Sequence, residues 1–365
     1  MKLSEGQAKA LDDCMAWWKT DTAFRSQIFR IFGYAGTGKT TIAKEIAKRV
    51  GGVVLYGAFT GKAALVMRKN GCVGASTLHS MIYKTIENED GSVDFVWNPQ
   101  SILVEARLLI IDECSMVDAE LAKDVLAFGV PILVLGDPGQ LPPISGKGFF
   151  TEAKPDVMLY EIHRQAKDNP IIHLATMVRN GVMPDYGRYG ESLVTAKGRK
   201  SEMNSFDQVI VGKHTTRMTT NAIIRQLRGY EGNLPVIGER INCLKNNRSL
   251  NIYNGGMFQV NEVRMKGPHD KYRTYRVSNL DQPEEEGKFV RVHNSFFTGE
   301  DKPDWRLLRG TQEFDFGYAI TCHRSQGSQW ESVYIVDESH IFRDSETRWL
   351  YTAITRAQEK VTVYT

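Results

Sequence analysis

Cysteine is scarce and oddly numbered: Cys14, Cys72, Cys114, Cys243 and Cys322 are the five in 365 residues, with no C-x-x-C pair among them. Such spacing offers neither a structural zinc site nor a disulfide framework, and it suits a reducing compartment. Long uncharged apolar runs are missing, which excludes a sequence-evident membrane span, and the opening MKLSEGQ reads as the start of a helix, not as a signal peptide. The sequence has no low-complexity tract and no repeat at fixed period. Charge of one sign is also lacking: 46 Lys and Arg against 43 Asp and Glu leave +3, too little to establish a polyanionic partner. Charge distribution has to carry that question. What remains is the composition of a cytoplasmic globular protein, long enough for two or three domains with substantial cores.

Short apolar runs alternate with helical patterns through the first half: QIFRIF, VVLYGAF, RLLIID and PILVLGD. Near-continuous apolar runs of this length predict parallel strands covered on both faces, hence an α/β fold with a doubly wound sheet. A second set runs from FDQVIVG (206–212) through SVYIVDE (332–338) to KVTVYT, predicting another α/β unit. Between its parts, residues 235–305 are rich in Gly, Asn, Lys and Arg and carry alternating segments such as GMFQVNEVRM and KFVRVHN, so a small β domain is expected there.

Between the first strand and the helix pattern IAKEIAKRV stands GYAGTGKTT, which matches G-x-x-x-x-G-K-[ST] through Gly33, Gly38, Lys39 and Thr40. Glycines admit backbone conformations that a Cβ forbids, and the helix that follows aims free N–H groups and its positive dipole end at an anion. Nucleotide phosphate is the expected anion, with Lys39 reaching the outer phosphates and the Thr40 hydroxyl on Mg²⁺. The competing account is a glycine-rich turn that starts a helix.

A second carboxylate-bearing strand is required for hydrolysis, and LLIIDECSM supplies one: Asp112 for the Mg²⁺ shell and Glu113 to polarise the attacking water. The next strand ends in GDPGQLPPI, where Gln140 offers a neutral hydrogen-bonding group to a terminal phosphate or to water, although Asp-Pro-Gly-Gln is also an ordinary turn. After it, LYEIHRQ places Arg164 where a guanidinium can stabilise a transferring phosphoryl group, if it is not a plain surface residue.

The ordered set GYAGTGKTT, AFTGKAA, TLHS, IIDECSM, GDPGQLPPI, EIHRQ, AITCHRSQGSQW and LYTAITRA resembles the motif series of superfamily 1 helicases, in the RecD-like and Dda-like branch, over residues 33–357. The resemblance implies two RecA-like domains, 1–165 and 166–234 with 306–365, and ATP between them. It also implies a hairpin pin at 83–100 in the first domain and a small Src-homology-type barrel at 235–305 in the second. The activity implied is an ATP-dependent helicase moving 5′ to 3′ on single-stranded DNA and at single-strand/duplex junctions. Carried onto this chain, it assigns phosphate contacts to Gly36, Thr37, Gly38, Lys39, Thr40 and Thr41, and magnesium to Thr40 and Asp112. Glu113 becomes the water activator, Gln140 the phosphate sensor, and Arg164 and Arg356 the arginine fingers. Gln7 is the candidate adenine contact, although Ser4-Glu5-Gly6-Gln7 is also a capping box.

For the DNA strand the expected contacts are Phe59, Thr60, Gly61 and Lys62, then Thr77 and His79, then Thr321, His323 and Ser325, with Gln326 and Gly327 coupling strand to nucleotide. Relatives in this branch often carry proline where Phe59 stands, and a core aromatic explains Phe59 equally well. A capping Thr with a packed His is the other account of Thr77 and His79. Within YKTIENEDGSVDFVWNPQ, Asp90-Gly91 between apolar positions predicts the hairpin turn, and Phe95 and Trp97 are the aromatics for parting a base pair or for anchoring the hairpin. Lys245, Arg248 and Asn254 either touch DNA or merely sit on the small barrel's surface. A compact chain without long tails predicts a monomeric bacterial or viral motor, with replication or recombination proteins as further partners. Two other functions compete: an ATP-gated scaffold subunit that grips nucleic acid without sustained hydrolysis, and a translocase that strips proteins but unwinds little.

Overall fold

The computed structural model describes residues 3–87, 93–143, 148–161, 169–198, 200–247, 249–265, 267, 270–299 and 303–365. Asp90, Gly91, Arg164 and Arg248 therefore lie outside the described residues. Apolar strands and amphipathic helices alternate through the first unit: α1 (Glu5–Lys19), β1 (Ile28–Gly33), α2 (Lys39–Val50), β2 (Val54–Ala58), α3 (Gly61–Lys69), β3 (Ser76–Thr77) and α4 (Leu78–Ile82). They continue as β4 (Tyr83–Glu87), β5 (Val93–Trp97), β6 (Leu108–Ile111), α5 (Ala119–Leu126), β7 (Ile132–Gly136), α6 (Phe149–Glu152) and β8 (Val157–Leu159). Six of the strands form a parallel sheet in the order β3-β2-β6-β7-β1-β8. Every residue of β6 and β7 is buried, the signature of strands covered on both faces. β4 and β5 pair only with each other, as an antiparallel hairpin leaving the sheet.

The second unit opens with α7 (Pro170–Arg179), β9 (Gly187–Tyr189), β10 (Ser192–Thr195), β11 (Gln208–Val211) and α8 (His214–Leu227). An antiparallel excursion follows: β12 (Arg240–Cys243), β13 (Met257–Arg264), β14 (Tyr272–Asn279), β15 (Lys288–His293), α9 (Ser295–Thr298) and β16 (Phe314–Phe316). The chain then returns through β17 (Ala319–Thr321), α10 (Cys322–Ser325), β18 (Trp330–Val336), α11 (Glu346–Ile354) and β19 (Ala357–Tyr364). Its main sheet has the order β17-β11-β18-β19-β10-β9, parallel except at the β9/β10 edge.

The excursion forms its own five-stranded sheet, β15-β14-β13-β12-β16, with alternating burial along β14. Two features depart from the sequence reading. β16 pairs with β12, so this sheet takes in residues beyond the expected end at 305. β8, β9 and β10, of three, three and four residues, complete the large sheets although they are too short to declare a period. No described helix is long and apolar enough to cross a membrane.

Candidate nucleotide and nucleic-acid site

The phosphate loop leaves the carboxyl end of β1, where ligands of open α/β sheets bind. Gly36 and Gly38 take φ of 79° and 77°, the left-handed region that glycine enters freely, and Gly38 caps the start of α2. Thr37 is buried and its hydroxyl donates to the Tyr34 carbonyl (2.8 Å). Thr41 closes the first helical turn on Gly38 (3.1 Å). The Lys39 ammonium bends back over the loop and donates to the carbonyls of Gly33 (2.6 Å) and Tyr34 (3.3 Å). Gln7 performs two tasks at once: its oxygen accepts the Ser4 N–H to complete the capping box (3.1 Å), while its nitrogen donates to the Thr37 carbonyl (3.1 Å).

At the end of β6, Asp112 accepts from the Thr40 hydroxyl (3.2 Å) and from the Glu113 N–H (2.9 Å). Glu113 itself has φ 52°, a left-handed conformation that costs a non-glycine residue energy, and it follows Asp112 just past the end of β6. Burial pushes the Asp112 carboxyl up to about 6, the neighbouring Glu113 adds to this, and Lys39 opposes it. A carboxylate largely withdrawn from water and held beside a hydroxyl fits a hard divalent cation that takes one or two protein oxygens and completes its shell with phosphate and water. Among the described residues no group of three or more His, Cys, Asp or Glu gathers to hold a metal.

Thr40, Asp112 and Glu113 line a cavity of about 140 Å³ whose opposite wall comes from the second unit: Gly327, Gln329 and Arg356. Arg356 is 3% exposed, and its guanidinium donates to the Thr352 carbonyl (3.0 Å), the Ser328 carbonyl (3.3 Å) and the Thr355 hydroxyl (3.1 Å). Gln140 is placed elsewhere. It lines a second cavity of about 370 Å³ with Asp137 and Arg348, its side-chain oxygen having no hydrogen-bond partner among the described residues.

The two units touch through the segment after β7. Leu141 gives its N–H to the Thr352 hydroxyl (2.9 Å), and its carbonyl accepts from the Gln326 amide (2.8 Å). Tyr351 reaches further, accepting the Ala35 N–H of the phosphate loop (3.0 Å) and donating to Asp137 (2.6 Å). Burial pushes the Asp137 carboxyl up, and Lys39 pulls against it. The Arg179 guanidinium lies 3.6 Å from the centre of the Tyr34 ring. Asp137, Tyr351 and Thr352 lie within quoted motifs without a role read for them there, and nothing in the sequence marks Arg179.

A third cavity, of about 380 Å³, runs between the units and under the inserted sheet. Phe59, Thr60 and Lys62 line it from the first unit, Thr321 and His323 from the second, and Asn254 from the loop between β12 and β13. Phe59 is half-buried and meets His79 edge-on at 5.6 Å, and His79 in turn approaches Tyr83 at 6.0 Å, so Phe59 is both a packed aromatic and a wall of the channel. Thr60 caps α3 and Thr77 caps α4 through their hydroxyls (3.1 and 3.2 Å). Burial holds His323 below its usual value.

Three expected strand contacts are turned inward. Gly61 lies under Tyr253, where a Cβ would stand 2.4 Å from the tyrosine Cβ. The Lys62 side chain is 5% exposed, with its ammonium 3.5 Å from Asp281 of the inserted sheet and 4.8 Å from the centre of the Trp330 ring in the second unit. Ser325 is buried because the short α10 directs its hydroxyl to the Cys322 carbonyl (2.6 Å). On the hairpin, Trp97 packs on Phe128 at 4.9 Å, while Phe95 is 63% exposed. Asn254 lies at the channel, whereas Lys245 pairs with Glu313 at 3.8 Å.

Residues 2–193 match the family described as AAA domain, and residues 316–364 match the UvrD-like helicase C-terminal domain. The ATP-dependent RecD2 DNA helicase of Deinococcus radiodurans is 26% identical over 398 residues, covering 98% of this chain and 48% of that protein. The ATP-dependent DNA helicase dda of Enterobacteria phage T4 is 34% identical over 194 residues, 49% of this chain and 43% of that protein. The chain thus spans about half the length of the curated relatives it matches. Among solved structures, Bacteroides Pif1 bound to ssDNA has a TM-score of 0.61 at 20% identity, covering 99% of this chain and 92% of that one. Pif1 helicase from Candida albicans has a TM-score of 0.58 at 19% identity, covering 100% and 94%. At such identities the likeness is one of fold. With the first match covering more than half of its residues, the chain belongs to the AAA domain family.

Proposed function

We propose that this chain is an ATP-driven translocase that moves 5′ to 3′ on single-stranded DNA and unwinds duplex. The observation that carries the proposal is the cavity in which Thr40, Asp112 and Glu113 of one unit face Arg356 of the other. A triphosphate on the loop draws the Lys39 ammonium off the Gly33 carbonyl and onto the outer phosphates. Thr40 and Asp112 would hold a magnesium ion, which when bound would supply neutralisation of phosphate charge. Glu113 orients and polarises the attacking water, and Arg356 stabilises the charge that develops as the last phosphoryl group leaves. Because the carboxylates and the guanidinium stand on different units, only the closed pair is competent, and hydrolysis releases the closure. Arg164 acts as a second guanidinium, Gln140 senses the terminal phosphate once the units close, and Gln7 reads adenine by exchanging its bond to Thr37 for the base.

The DNA strand occupies the channel between Phe59 and Thr60 on one side and Thr321 and His323 on the other, with Asn254 above it. The hairpin is the pin that meets the duplex, with Trp97 fixing it to Phe128 and Phe95 free to stack. Base stacking on an aromatic contributes about 1–3 kcal/mol, comparable to the ~1.4 kcal/mol of one duplex stacking step. The inserted sheet is a small barrel of the Src-homology type. In support of closure, the Gln312 N–H donates to the Arg291 carbonyl of β15 (2.7 Å), bringing the approach to β16 alongside the far edge.

The test is ATP hydrolysis with and without oligonucleotide, followed by unwinding of DNA and RNA duplexes tailed at either end. Stimulated hydrolysis and unwinding of 5′-tailed DNA are expected. Absence of stimulation removes the motor, and preference for a 3′ tail overturns the polarity.

A further inference from the structure

Tyr351 is 1% exposed and sits on α11, five residues before Arg356, yet its hydroxyl leaves the second unit altogether. It accepts the N–H of Ala35 inside the phosphate loop (3.0 Å) and donates to Oδ2 of Asp137 (2.6 Å). Asp137 is itself 2% exposed, and its other oxygen accepts the Gly139 N–H (2.9 Å). The tyrosine ring closes over the same turn: a Cβ on Gly139 would stand 3.0 Å from the ring's Cε1. One phenol thus holds the loop and the GDPGQ turn together from across the interface. Neither hydrolysis nor strand binding, as described above, uses it.

We infer that Tyr351 is a positioning residue through which the second unit sets the phosphate loop, its hydroxyl tying the Ala35 amide to Asp137 so that the shape of the loop depends on where α11 stands. The inference rests on the two-unit motor proposed above. It predicts that nucleotide affinity and strand-stimulated hydrolysis both pass through this hydroxyl. Burial, with Asp137 next to it, pushes the Tyr351 hydroxyl far up, so it remains a donor at every working pH. The link therefore responds to movement of α11.

The experiment compares the full chain with Tyr351→Phe, which keeps the ring on Gly139 and removes only the hydroxyl. Two quantities are read: affinity for a fluorescent ATP analogue with Mg²⁺ and no DNA, and the ratio of oligonucleotide-stimulated to unstimulated hydrolysis. A hydrogen bond of ordinary net strength corresponds to roughly a fivefold change, so affinity is expected to fall about fivefold and the stimulation ratio by at least as much, with the melting temperature held within a few degrees. A purely structural tyrosine would lower the melting temperature and leave both ratios alone. If either ratio is unchanged, the inference is wrong. Should Tyr351→Phe not fold, Asp137→Asn tests the same link from the other side, because it weakens the acceptor and keeps the shape. Should the unsubstituted protein show no stimulation by DNA, the motor reading fails, and the DNA-free affinity alone decides on Tyr351.

Discussion

Lys62 is where the expected and observed roles of a residue differ most, and the difference is measurable. Replacing it with Met keeps the stem and removes the charge. The ammonium lost is 3.5 Å from Asp281 and 4.8 Å from the Trp330 ring, at a side chain only 5% exposed. Breaking a buried ion pair costs about 3–5 kcal/mol when the survivor stays buried. The Asp281 side chain is 25% exposed and regains water, which places the loss near the lower end. The cation–π contact adds about 1 kcal/mol, and burial of the charge, which lowers the Lys62 pKa, subtracts from the sum. A net loss of about 2–3 kcal/mol follows, or roughly 4–12 °C at about 2–4 °C per kcal/mol. Single-strand affinity measured across a salt series separates the two roles. A phosphate contact contributes about 0.7 to the salt slope. For Lys62→Met the slope should match that of the unsubstituted protein while the melting temperature falls. A slope reduced by about 0.7 with unchanged melting would refute the strut and restore the phosphate contact.

Three further outcomes are expected. Glu113→Gln should retain ATP binding and lose turnover by a factor of at least about 10²; hydrolysis at the original rate in a single-turnover assay would end its assignment. Phe95→Ala should slow unwinding of a forked duplex several-fold and leave translocation on single strands intact, whereas Trp97→Ala, losing the Phe128 contact, should loosen the hairpin and raise its amide exchange. Equal effects of Phe95→Ala on unwinding and translocation would remove the dedicated wedge. His323 has a folded-state value below 6.5 because burial disfavours its charged form. The unfolded chain therefore binds the extra proton first, and this group's contribution to stability, full above pH 6.5, declines as pH falls below it. His323→Gln should flatten that part of the melting profile between pH 7 and 5.5; an identical profile would show that the decline comes from other groups.

The central strands of both large sheets were readable because parallel strands covered on two faces need nearly continuous apolar residues, as in LLII of β6 and ILVLG of β7. The phosphate loop was readable because its glycines answer a local backbone demand. β8, β9 and β10 were not, since each takes its strand conformation from neighbours distant in sequence. The inward turn of Lys62 left no mark either: a lysine after Thr-Gly at a helix start reads as an anion contact, and Asp281 and Trp330 are distant in the chain. Tyr351, among the buried apolar residues of α11, has the look of any core aromatic until the fold brings Ala35 and Asp137 to its hydroxyl.

Much of what the first unit offers across the cleft is peptide: the amide of Ala35 and both polar groups of Leu141. Side-chain scanning at Ala35 will therefore miss this junction, and at Leu141, whose side chain is buried in the core of the second unit, it will report lost packing instead. Swapping the Ala35 or Leu141 peptide for an ester, which deletes the N–H and leaves every side chain in place, is the chemistry that would make this junction visible.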